Sequence, residues 1–140
     1  MNTQERSAGM KATPISQLMK GPVQAVHIDD SMAVVMDLLS ATALAWVPVK
    51  DDDGHVLGAI SATDVLHFHA QGRNAQTVRA WQWCHYQPLT VAPQTTVSEV
   101  ARQMRQHHVH HAVIVDEGCV QGVVSTHDLL ALIADPQAAD

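Results

Sequence analysis

Two short runs place a hydroxyl and a carboxylate at the same spacing, Ser61-Ala62-Thr63-Asp64 and Ser125-Thr126-His127-Asp128. Ser-x-x-Asp ahead of an apolar stretch is a helix-capping box: the hydroxyl accepts from the backbone N–H three residues on, and the acid accepts from the serine N–H. A helix start also carries unpaired N–H groups and the positive end of the dipole, which suits an anion such as phosphate. Ser61 and Ser125 are therefore candidate anion contacts as well as caps, and Thr63 and Thr126 candidate anion contacts beside them. A second group is the run of imidazoles at His107, His108, His110 and His111. Imidazole binds transition metals, and protonated it also suits a helix C-terminus. Neither His-Glu-x-x-His nor a paired-Cys motif accompanies the run, so metal binding stands as the alternative reading and His107 and His108 are expected to close a helix.

The elements that position these residues occur twice. Gln17, Val26, Val35 and Asp51 recur 65 residues later as Gln82, Val91, Val100 and Asp116, and after one deletion Gly58, Ser61 and Asp64 recur 64 residues later as Gly122, Ser125 and Asp128. Within the first copy Val23–Ile28 reads as extended. Met32, Val35, Met36 and Leu39 follow the capping candidates Asp29, Asp30 and Ser31 at helical spacing. Trp46–Val49 and Val56–Ser61 read as a hairpin, and a second helix begins near Thr63–Val65. The second copy repeats this with Leu89–Ala92, the helix of Val97, Val100, Ala101 and Met104, the hairpin Ala112–Val115 with Val120–Ser125, and a helix from His127–Leu129. The expectation is a mixed α/β chain of two β-α-β-β-α repeats, residues 13–70 and 77–134, with tails at 1–12 and 135–140 and a polar linker at 71–76. Each copy is too small to bury much core alone, so the two are expected to share one.

Composition removes several function classes. A net charge of -6 and only one Phe and one Tyr beside three Trp argue against nucleic acid as a partner. The polar start Met1–Lys11 lacks a signal peptide's apolar stretch, and no run reaches the roughly 20 apolar residues of a membrane span. The expected setting is cytoplasmic, without a membrane partner and with Cys84 and Cys119 reduced. Neither Gly-x-Ser-x-Gly nor a phosphate-cradling Gly-rich loop is present, so no enzymatic activity is expected.

Strand, helix, hairpin, then Gly-apolar-apolar-Ser-x-x-Asp opening a helix, resembles the cystathionine-β-synthase (CBS) domain over about Thr13–Ala134, here as a tandem pair. The resemblance implies two repeats packed pseudo-symmetrically into one module, commonly a homodimer. It implies clefts that take AMP, ADP, ATP or S-adenosylmethionine as regulatory ligands, with no cofactor required. Asp64 and Asp128 are then the ribose-binding residues, a role suited to a carboxylate that accepts both ribose hydroxyls. Val26, His27 and Ile28, and Val91, Ala92 and Pro93, are the implied adenine walls. His110 and His111 resemble a His-Arg pair that faces nucleotide phosphates in the regulatory subunit of AMP-activated kinase. His111 stands where that pair has Arg, so the grip is expected to weaken between pH 6 and pH 8 as an ordinary imidazole, with a pKa near ~6.5, loses its proton.

The implied function is a non-catalytic sensor that binds an adenosyl ligand and signals to an unknown protein partner. The competing reading is a structural dimerisation module with empty clefts, or a histidine-based metal-binding module. Residues 13–70 carry a net charge of -5 and residues 77–134 a net charge of -1, and six of the ten histidines lie in the second copy. The two copies are therefore not expected to meet a phosphate equally well.

Overall fold

The computed structural model describes residues 12–19 and 23–134, so the expected tails fall outside it apart from Ala12. The chain forms two units, one of residues 24–88 with 118–120 and the other of the remaining described residues.

In the first unit the order is β1 (Val26–His27), α1 (Met32–Thr42), β2 (Trp46–Lys50), β3 (Val56–Ser61), α2 (Ala62–Ala70), α3 (Ala80–Trp83) and β4 (His85–Tyr86). These strands form one sheet in that order, with β1 parallel to β2 and the other neighbours antiparallel. Ser31 caps α1, its hydroxyl accepting from Val34 N–H at 3.3 Å. The helix then buries Met32, Val35 and Leu39, the stripe its spacing predicts. Val47, Val49 and Ile60 from β2 and β3, with Phe68 from α2, complete that core.

The second unit contains β5 (Thr90–Val91), α4 (Val97–His107), β6 (His111–Asp116), β7 (Cys119–Ser125) apart from its first two residues, and α5 (Thr126–Ala134), with sheet order β5-β6-β7. The β6–β7 loop is Glu117-Gly118, both at positive φ (51° and 82°), the backbone hand that a two-residue hairpin needs to match strand twist. Its core is Val91, Val97, Val100, Met104, Ala112, Ile114, Val124, Leu129 and Leu132, together with Ile15.

Core positions follow the repeat almost one for one, but the entry segments do not stay with the copy they precede. Ile15, in a 3₁₀ helix Ile15–Leu18, is fully buried in the second unit, where Ile15 N–H donates to Thr95 C=O and Val97 N–H to Thr13 C=O. Ala80 and Cys84 lie in the first unit's core, and Ala80 N–H donates to Asp30 C=O. The sequence repeats and the spatial units thus differ by an exchange of these segments. The exchange brings residues of α3 and β4 to the first unit's Ser-x-x-Asp run.

Candidate functional site

Both Ser-x-x-Asp runs fold as reciprocal caps. Ser61 N–H donates to Asp64 Oδ2 at 2.8 Å and Asp64 N–H donates to Ser61 Oγ at 3.0 Å. In the second unit Ser125 N–H donates to Asp128 Oδ2 at 2.8 Å and Asp128 N–H to Ser125 Oγ at 3.1 Å. Each carboxylate is thereby fixed at a helix start with Oδ2 engaged and Oδ1 turned elsewhere.

The other oxygen distinguishes the two copies. Asp64 Oδ1 meets His85 Nε2 at 2.8 Å, whereas among the described residues no hydrogen bond claims Asp128 Oδ1. Asp64 is further covered by Trp83, whose indole N–H donates to Asp64 C=O at 3.0 Å and whose ring stands edge-on to Phe68 at 5.2 Å. Burial, the largest influence, raises the Asp64 pKa. The bonds from Ser61 and His85 and the His85 charge outweigh it and leave the carboxyl below its ordinary 3.8.

In the second unit Thr126 N–H donates to His110 C=O at 2.9 Å, which ties the start of β6 to the start of α5 and brings Ser125, Thr126, Asp128, His110 and His111 into one neighbourhood. In the first unit Ala62 N–H donates to Ala45 C=O at 2.8 Å, so Ala45 and Trp46 stand where the second unit has His110 and His111. Thr63 is exposed on the first turn of α2.

Burial, followed by the neighbouring His110, pushes the His111 imidazole below its ordinary 6.5, while the Asp128 carboxylate pulls it back upward. His111 therefore carries less positive charge at a given pH than the ordinary imidazole on which the expected pH dependence rests. The same depression has a folding consequence. The unfolded chain takes up a proton at His111 before the folded chain does, so this contribution to stability is complete above about pH 6.5 and is lost as pH falls toward the folded value. A His111→Asn variant is expected to flatten the fall in urea midpoint between pH 7 and pH 5. An unchanged slope would contradict this account.

The segments expected to wall an adenine are placed differently from one another. The Val26 and Val91 side chains point into the two cores. His27 turns toward Asp52, with Nε2 and Oδ1 2.5 Å apart, and its N–H already donates to Asp30, while Ile28 N–H donates to Lys50 C=O. His27 pairs with Lys50 and Ser61 with Trp46, at opposite ends of β2. Four residues of strand separate those levels by about 13 Å. Ala92 and Pro93 are half-buried beyond β5, where Pro93 C=O accepts from Ser16 N–H.

His107 ends α4 and His108 takes the left-handed cap at φ 55°. Among the described residues the imidazole run forms no three-ligand group. Asp51, Asp53 and His55 do, with ligand atoms within 4.8 Å of one another. Asp51 Oδ1 there already accepts from the N–H groups of Asp53 (2.9 Å) and His55 (3.0 Å), as a tight polar turn requires. Sequence reasoning missed His85 and the Asp64 contact of Trp83. In the repeat alignment His85 falls opposite Lys20, and nothing in that pairing signals a contact with Asp64.

The described residues include no helix long and apolar enough to cross a membrane. The chain is 31% identical over 114 residues, 75% of its length, to the 5'-AMP-activated protein kinase subunit gamma-3 of Bos taurus, of which it covers 23%. It spans 36% of the arabinose 5-phosphate isomerase KpsF of Escherichia coli and 23% of the bovine kinase subunit, well under two thirds of these first relatives. Its fold matches the CBS domain of a bacterial CNNM/CorC family Mg2+ transporter in complex with ATP, with TM-score 0.81, 21% identity and 94% of each chain covered. It also matches a CBS domain protein from Pyrobaculum aerophilum complexed with AMP, with TM-score 0.76, 24% identity, 86% of this chain and 98% of that one. The CBS domain model matches twice, at residues 15–70 and 81–135, and the chain belongs to the CBS-domain family.

Proposed function

We propose that this chain is a non-catalytic regulatory module that binds an adenosyl ligand, AMP, ADP, ATP or S-adenosylmethionine, and signals its occupancy to a protein partner. The observation that carries this reading is the Asp128 carboxylate, held at a helix start by a reciprocal cap with one oxygen that no hydrogen bond among the described residues claims. Ser125 and Thr126 offer hydroxyls beside it, and the first turn of α5 offers N–H groups for a phosphate. The ATP and AMP complexes of the two structural relatives support the ligand class.

Thermal denaturation with AMP, ADP, ATP, S-adenosylmethionine and NADH tests the reading, because a ligand at 100 times its Kd stabilises the native state by about 2.7 kcal/mol. At least one adenosyl compound is expected to raise the melting temperature. Asp128→Ala is expected to weaken that compound roughly ten- to hundredfold, the loss of bonds to a charged acceptor. If no adenosyl compound shifts the transition, the sensing reading fails.

A homodimer accompanies this reading. Leu66 and Leu130, equivalent in the two copies, are 68% and 58% exposed on α2 and α5. Leu130 edges a groove of about 610 Å³ between α4 and α5, whose lining joins the apolar Met104, Val109 and Leu129 to the polar Arg105, His108, His110 and Thr126. Exposed apolar side chains beside an open groove suit burial against a second copy. The double variant Leu66→Asp/Leu130→Asp is expected to sediment as a monomer where the parent sediments as a dimer. A monomeric parent at micromolar concentration would remove this part of the proposal.

A further inference from the structure

Among the described residues, His85 sets the Asp64 carboxylate apart from that of Asp128. Its ring nitrogen occupies Asp64 Oδ1 at 2.8 Å, the position that a ribose hydroxyl needs, while Asp64 Oδ2 is held by Ser61. A carboxylate whose two oxygens are both engaged can accept from an incoming hydroxyl only by giving up a partner or sharing one. The Asp64 side chain is 15% exposed, so few other directions of approach remain open, whereas His85 is 77% exposed and can swing away. The Ser61 bonds belong to the helix cap and are expensive to break. His85 is therefore the group that must leave.

His85 is also held in front of Asp64 by its own backbone. Gly58 pairs with Tyr86 and Ala59 with His85 across β3 and β4, and Trp83 is bonded to the Asp64 carbonyl. No such imidazole faces Asp128 among the described residues.

We propose that His85 is a specificity-determining residue, an internal competitor that weakens adenosyl-ligand binding at Asp64. This inference rests on the adenosyl-binding reading above. It adds a named discriminator and a direction: removing the imidazole strengthens binding at Asp64, whereas removing a ligand-contacting imidazole weakens it. Because the pair is partly in solvent, its hold is modest, and the expected gain is about three- to tenfold in affinity.

The test uses the full chain and AMP, measured by isothermal titration calorimetry in an Asp128→Ala background that isolates the first site. Adding His85→Ala is expected to lower the Kd for AMP about three- to tenfold, and adding Asp64→Ala to that variant to abolish the gain. His85→Gln keeps an N–H donor toward Asp64 and is expected to bind as weakly as the His85 parent, which separates competition for the carboxylate from a general loosening of β4. An unchanged or higher Kd in His85→Ala, or a gain that persists in Asp64→Ala, overturns the role of His85. In both cases AMP binding at Asp128 in the otherwise unaltered chain leaves the adenosyl reading standing. AMP binding to neither the parent nor any variant overturns the role of His85 together with AMP as the ligand.

Discussion

Phe68→Ala is expected to lose roughly 3–5 kcal/mol of stability, the range for removing a fully buried aromatic ring. At this chain length that lowers the melting temperature by roughly 10–15 °C. Phe68 is 1% exposed and lies in the first unit's core with Val35, Val47 and Ile60. Its ring meets Trp83 edge-on at 5.2 Å, an aromatic geometry favourable beyond the area it buries. Alanine leaves a cavity that the two-stranded hairpin beneath cannot easily fill, because β2 and β3 are pinned to each other by their ladder. Phe68→Leu, matching Leu132 at the equivalent place in the second unit, should recover most of the loss. Urea denaturation followed by near-ultraviolet circular dichroism separates the two variants. A loss below about 1 kcal/mol in Phe68→Ala would mean that Trp83 and α2 collapse onto the vacated space.

That variant also reports on function, because Phe68 supports the indole that bonds the Asp64 carbonyl. Loss of the ring should loosen α3 over Asp64 and weaken the hold of His85, while the Asp128 site in the other unit keeps its own cap. Stability of the core and access to the first carboxylate are linked through Trp83, whereas the second carboxylate depends on Ser125 and the β6–α5 connection. This gives a physical basis for two copies of one motif responding differently to a ligand.

The repeat made much of this legible in advance. Val26 and Val91, Val35 and Val100, and Ile60 and Val124 take matching core places because apolar periodicity records burial directly. The helix starts at Ser31, Ser61 and Ser125 were legible because capping is a local interaction. The expected hairpins differ from β2, β3, β6 and β7 by one residue at most at any end. The extended segments were less legible: only Val26–His27 and Thr90–Val91 form strands, because the chain turns at Ile28–Asp29 directly after β1. The exchange of entry segments left no local signal at all. Gln17 and Gln82 align perfectly whichever unit their segments join, so periodicity cannot tell which core receives Ile15 or Ala80. The position of His85 over Asp64 follows from that exchange and was hidden with it.

Gly58→Ala and Gly122→Ala convert the same asymmetry into a stability measurement. The two glycines align in the repeat, and each begins a Gly-apolar-apolar-Ser run. A Cβ at Gly58 falls 2.5 Å from His85 C=O oxygen and 2.8 Å from Cys84 Sγ, so backbone has to move to admit it. A Cβ at Gly122 falls 3.0 Å from Met19 Sδ and 3.1 Å from Met19 Cγ, atoms of a flexible side chain that can rotate away. Gly58→Ala is therefore expected to cost roughly 2–3 kcal/mol and Gly122→Ala less than about 1.5 kcal/mol, read as the difference in urea midpoints. The first substitution pushes β4 off β3 and carries His85 away from Asp64, so it should relieve the competition for that carboxylate even as it destabilises the unit. Equal costs at the two glycines would show that β4 yields as easily as a methionine side chain, and the close seat of His85 over Asp64 would lose its structural basis.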